Sequence, residues 1–125
     1  MKDAVIVSAA RTPIGKAYRG AFNDLEAPSL SSHAITAAVA RAGLEASDID
    51  EVIMGCVLPA GLGQAPARQA SLGAGIPKST GTTTINKVCG SGMKAIMLAH
   101  DLLIAGSATV AVAGGMESMS NAPHL

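Results

Sequence analysis

The stretch Thr82–Gly106, TTTINKVCGSGMKAIMLAHDLLIAG, limits the fold more than any other part of the chain. It reads as a short strand, a glycine turn and a long apolar helix, with Cys89 at the hinge. The strand fixes where the thiol sits, and Gly90 and Gly92 allow a sharp turn and a close backbone approach. The helix that follows aims unpaired N–H groups and the positive end of its dipole back at the sulfur. Such a setting raises the reactive thiolate fraction of a cysteine and offers N–H groups to an oxyanion. The residues alone therefore make Cys89 a candidate nucleophile for acyl chemistry. Two other readings compete. Cysteine is often only a small packed hydrophobe. Gly90-Ser91-Gly92-Met93-Lys94-Ala95 also fits the G-x-G-x-x-A turn that seats a dinucleotide pyrophosphate. Against the second, the preceding Thr82-Thr83-Thr84 is polar, and the acidic residue expected about 20 positions on is missing.

The rest of the chain alternates in the same way. Ala4–Ala10 is a nearly continuous apolar run, expected to be a central parallel strand covered on both faces. Pro28–Ala42 is expected to be a helix, with Gly43 just past its end. Glu51–Val57 is the second expected strand, with Cys56 as a packed thiol. Pro66 opens a short helix over Ala67–Ala74, closed by Gly75 and Pro77. Gly81–Ile85 is the third strand. The helix after Cys89 is apolar nearly all round, which predicts a buried, central position. Thr109–Gly114 is the fourth strand. Short connections and the order β-α-β-α-β-α-β imply a right-handed, mostly parallel α/β sheet.

The chain has 125 residues, 49% hydrophobic and 14% charged, which suits a single domain with its own core. Nine basic and nine acidic residues give a formal net charge of zero, so nothing favours nucleic acid or an anionic membrane as partner. No apolar run is expected to approach the ~20 residues of a membrane span. With no signal or transit pattern and two cysteines expected to be unpaired, the reading is cytoplasmic. No metal-ligand cluster enters it. The loop after Ala10, with Arg11, Lys16 and Arg19, reads as a solvated loop or subunit contact. Lys87 and Lys94 read as solvated.

Four segments carry a family resemblance. Ile85–Ile96, INKVCGSGMKAI, resembles the nucleophile signature of thiolases, and Gly114–Ser120, GGMESMS, a second thiolase hallmark. Ser8–Gly15 resembles the family's opening, and Gly63–Gln69 is a fourth match. They occur in family order across residues 1–125, closest to the acetyl-CoA acetyltransferase (acetoacetyl-CoA thiolase) branch. The resemblance implies a thiolase-like α/β domain, incomplete in this chain, whose C-terminal half lies elsewhere; the ending at Leu125 reads as a truncation.

It also implies a chemistry. Cys89 accepts an acetyl group from acetyl-CoA, its backbone N–H helping to hold the acyl oxygen, and a second acetyl-CoA condenses to acetoacetyl-CoA; thiolysis is the reverse. The implied substrates are coenzyme A thioesters, with no tightly bound cofactor, and the implied assembly is a homodimer or homotetramer. The family draws a histidine, a second cysteine and an asparagine from its C-terminal half, and none of those motifs is here. His100 lies 11 residues down the helix from Cys89, about 16 Å away, too far to serve as its base. Glu117 is expected to support the site structurally. Two alternatives stay beside this reading: a degradative 3-ketoacyl-CoA thiolase, and a non-catalytic acyl-CoA or lipid-carrier relative.

Overall fold

The computed structural model describes residues 3–124. Its elements run α1 (Ala27–Arg41), β1 (Glu51–Gly55), α2 (Pro66–Gly73), β2 (Gly81–Ile85), α3 (Ser91–Ala105) and β3 (Ala111–Gly115), with single 3-10 turns at Ala46–Asp48 and Met119–Asn121. The three strands form one parallel sheet in the order β2-β1-β3. Glu51 stands beside Gly81 on one side and Ala111 on the other, and the pairing runs in step to Gly55.

β1 explains the layering. A strand's side chains alternate between faces. Val52 and Met54, with Cys56 just beyond, enter a core shared with Ile35 of α1 and Ala67 and Ala70 of α2. Ile53 points the other way, into a smaller core with Ala95 and Ala99 of α3. The central strand is thus buried on both faces, as its continuous apolar character requires.

Each helix is bounded by local chemistry. Pro28 sits in the first turn of α1, where the missing N–H costs nothing, and Gly43 follows its end at φ 69°. Ser32, a polar position in the α1 pattern, faces α2: its hydroxyl lies 2.8 Å from the Pro28 carbonyl and 3.0 Å from that of Ala70. α2 begins behind Ala65, and the Ala67 N–H donates to the Thr84 hydroxyl at 3.0 Å. A threonine of β2 therefore supplies the cap that α2 lacks in its own sequence, which gives the polar Thr84 a structural use. Asp50 does the same for the entry to β3. Its carboxylate accepts from Thr109 N–H (2.7 Å) and Val110 N–H (3.1 Å), and these bonds lower its pKa from the usual value. Because those two residues serve Asp50, β3 starts at Ala111 and not at Thr109.

Two expectations are corrected. Ala4–Ala10 is not a strand: the run pairs with nothing among the described residues, and Val5, Ile6 and Val7 are 71%, 81% and 67% exposed. An apolar run becomes a strand only where a neighbouring backbone completes its hydrogen bonds. Its one hydrogen bond among the described residues comes from the Arg41 guanidinium, which donates to the Ala9 carbonyl at 3.0 Å. The sheet consequently has three strands where four were expected. Secondly, α3 is covered on one side only. Ser91, Ala95 and Ala99 are buried, while Met93, Ile96 and Met97 face outward.

The expectation that no apolar run nears membrane length is also modified. The 18 residues Val88–Ala105 have a mean hydropathy of 1.3 and qualify by length and composition. α3 proper covers only 15 of them. That is about 22 Å, short of a ~30 Å hydrocarbon core.

Candidate active site

The sequence Asn86-Lys87-Val88-Cys89-Gly90 forms the turn from β2 into α3, at the carboxyl edge of the parallel sheet. Cys89 is exposed, whereas Cys56 is buried. The turn takes its shape from Val88, which adopts φ 48°. A β-branched residue in the left-handed region is strained by about 1–3 kcal/mol and persists only where its surroundings impose it. Here they do. The Val88 N–H donates to Asn86 Oδ1 at 2.8 Å, the Ser91 hydroxyl donates to the Val88 carbonyl at 2.6 Å, and the Lys87 N–H donates to Ser91 Oγ at 2.8 Å. Gly90, expected to make the sharp turn, has an ordinary φ of −88°.

Glycine is needed for contact between backbones. A Cβ on Gly55 would stand 2.6 Å from the carbonyl carbon and Cβ of Ser91, and one on Gly115 would stand 3.2 Å from Gly92 Cα. The first turn of α3 therefore lies directly on the tips of β1 and β3. That contact places the helix's positive end beside Cys89.

The thiol opens onto a cleft of about 500 Å³. One wall is the tip of β1 (Gly55, Val57, Leu58), another the exit from β3 (Gly115, Met116, Glu117, Met119), and the third the turn itself with Val88, Ser91 and Gly92. The lining is mostly apolar with one carboxylate, Glu117. That carboxylate is engaged: Oε2 accepts from Val57 N–H at 2.9 Å and Oε1 from Leu58 N–H at 3.0 Å. The Cys56 thiol donates to Oε1 at 3.7 Å. Burial, reinforced by the Glu117 charge, pushes the Cys56 pKa up to about 11, so this second thiol stays protonated and inert. Glu117 thus ties the β3 exit to the β1 tip, joining two walls of the cleft.

None of the three histidines lines this cleft. His100 is exposed on α3 with Nδ1 3.1 Å from Asp101 Oδ1, and His33 is exposed on α1. His124 Nε2 lies 3.0 Å from the Tyr18 hydroxyl. Arg11 and Lys16 line an adjoining opening of about 380 Å³ with Ser31 and Ser118, which shares Gly115, Met116, Glu117 and Met119 with the cleft. Their loop is fastened to the β3 exit by Tyr18 N–H donating to Ser120 Oγ at 2.9 Å.

Sequence reasoning found the cysteine and the glycine-flanked turn but missed Asn86, Ser91 and Gly55. An asparagine two residues before the strained position was the available signal for the first, since Asn side chains bond the backbone two residues on. Gly55 carried none, because its reason is a contact distant in sequence.

Comparison with known proteins fits this geometry. The family profile of the thiolase N-terminal domain matches residues 4–125. A mitochondrial acetyl-CoA acetyltransferase of Xenopus laevis is 60% identical over 124 residues, which are 99% of this chain and 29% of that protein. The human mitochondrial acetyl-CoA acetyltransferase is 56% identical over 125 residues, 29% of its length. An acetyl-CoA acetyltransferase of Cupriavidus necator is 54% identical over 125 residues, 32% of its length. A crystal structure of a thiolase from Ascaris suum in complex with coenzyme A superposes with a TM-score of 0.94 at 48% identity, over 98% of this chain and 32% of that one. The chain thus spans about a third of the length of these relatives. The cytoplasmic expectation is overturned, because highly similar relatives are named as mitochondrial. Unpaired thiols never distinguished one reducing compartment from another. On the profile match and these identities, the chain belongs to the thiolase N-terminal domain family.

Proposed function

We propose that this chain carries the nucleophile half of an acyltransferase that joins two acetyl-CoA molecules into acetoacetyl-CoA, or splits acetoacetyl-CoA with free CoA. The observation that carries the reading is the exposed Cys89 thiol at the start of α3, opening on a cleft between two strand tips.

In the first half-reaction the Cys89 sulfur attacks the acetyl-CoA carbonyl carbon. A new C–S bond forms, the bond to the CoA sulfur breaks, and CoA leaves as its thiol after taking up a proton. In the second, another acetyl-CoA loses a proton α to its carbonyl. That carbon attacks the acetyl-cysteine, a C–C bond forms, and Cys89 is released. Splitting one hard step in two is the gain from covalent catalysis. The helix end supplies backbone N–H groups for the negative oxygen of each tetrahedral intermediate. Both half-reactions need proton transfer. Glu117 is occupied by backbone donors, so acid–base groups come from chain beyond these 125 residues, consistent with relatives about three times as long. The working unit in this reading is a homodimer or homotetramer.

The test is incubation of the full-length chain with acetyl-CoA, followed by peptide mass spectrometry. An increment of one acetyl group on Cys89, absent in Cys89→Ala, is expected. Acetylation elsewhere, or turnover by Cys89→Ala at the parent rate, rejects the assignment.

A further inference from the structure

We infer that Asn86 and Ser91 are positioning residues for Cys89, acting by holding Val88 in its left-handed conformation; the inference rests on Cys89 being the nucleophile proposed above. The peptide groups of Val88 are bonded on both sides by side chains. Its N–H is taken by Asn86 Oδ1 at 2.8 Å, and its carbonyl by the Ser91 hydroxyl at 2.6 Å. Ser91 Oγ also accepts from Lys87 N–H, so one buried hydroxyl spans the turn from entry to exit.

Both residues are anchored outside the turn. Ser91 is 4% exposed and lies where its Cβ meets the space above Gly55. Asn86 Nδ2 donates to the Val57 carbonyl at 3.3 Å, which joins the turn to the opposite wall of the cleft. Val88 itself is 65% exposed, and no packing of its side chain compels φ 48°. Two backbone bonds close the turn, Gly90 N–H donating to the Lys87 carbonyl and Ser91 N–H to the Val88 carbonyl, both at 3.1 Å. The side-chain clamp reinforces them in holding that conformation, and the residue it aims is the next one, Cys89. Ser91 lies on the cleft rim, yet its hydroxyl is spent on Lys87 and Val88.

The clamp predicts coupling to residue 88. Glycine enters the left-handed region freely, so Val88→Gly removes the strain the clamp opposes. The experiment measures iodoacetamide alkylation of Cys89 and single-turnover acetylation from acetyl-CoA. The proteins are the full-length chain, Ser91→Ala, Val88→Gly and the double variant, with folding verified by circular dichroism. Ser91→Ala is expected to slow both reactions roughly tenfold in the parent, but less than about threefold in Val88→Gly. Equal losses on both backgrounds overturn the proposal, because a general loss of structure has no reason to depend on residue 88. Asn86→Ala is measured in the same cycle and decides between the two outcomes should Ser91→Ala not fold. Alkylation does not depend on the acyl donor. Coupling in alkylation without any acetylation would therefore uphold the clamp while rejecting the acyltransferase reading.

Discussion

The two cysteines show how far environment separates identical side chains. Cys56 is buried and shares Glu117 with two backbone donors, while Cys89 stands open on the cleft. Iodoacetamide at pH 8 is expected to label Cys89 alone in the folded chain and both thiols in denaturant, as read by peptide mass spectrometry. The raised Cys56 pKa also has a stability consequence. A thiol lifted from 9.0 to about 11 contributes stability that is intact below pH 9 and is lost as pH rises through 11. Glu117→Gln removes the charge contribution, so thiol absorbance at 240 nm in that variant should show Cys56 titrating at lower pH than in the parent. An unchanged titration would mean that burial alone sets the value.

Among the elements, local pattern and distant contact can be told apart. Cys89 was legible because a strand, a glycine turn and a helix announce themselves within 25 consecutive residues. α1 and α2 were legible through Pro28, Pro66, Gly43 and Gly75, whose backbone preferences act where they stand. The left-handed Val88 was not, since its conformation is held by hydrogen bonds to Asn86 and Ser91 and opposes its own propensity. Nor was the fate of Ala4–Ala10: a strand is a relation between two backbones, and one sequence segment describes only half of it. Gly55 belongs with these non-local facts and yields a prediction. Gly55→Ala drives a methyl into the first turn of α3 and is expected to destabilise the fold by about 3 kcal/mol, seen in urea unfolding. Substitution of Gly43, with nothing within 4 Å of its added Cβ, costs only the strain of its positive φ. A Gly55→Ala variant as stable as the parent would show that helix and sheet separate there easily.

Taken whole, the molecule leaves much apolar surface uncovered. Val5, Ile6 and Val7 stand exposed at one end of the chain, and Met93, Ile96 and Met97 form the outer face of α3. Soluble monomers rarely show apolar patches of this kind unless another surface meets them. The 125-residue chain on its own is therefore expected to self-associate in size-exclusion light scattering, and Ile96→Lys with Met97→Lys to reduce that association. Monodisperse monomer for the parent would contradict the expectation. The parallel α/β layering was legible at this scale, because strand–helix alternation admits few topologies. The one-sided cover of α3 was not, since an all-round apolar helix reads the same whether its second neighbour is present or not.

The contact of Gly55, Gly92 and Gly115 makes the bed of the cleft from main chain alone. A Cβ at Gly55 or Gly115 would meet the first turn of α3, so the ground beneath the thiol leaves no room for a side chain. Variation in the shape of the cleft is then left to its sides, where Val57, Leu58 and Met119 carry the side chains.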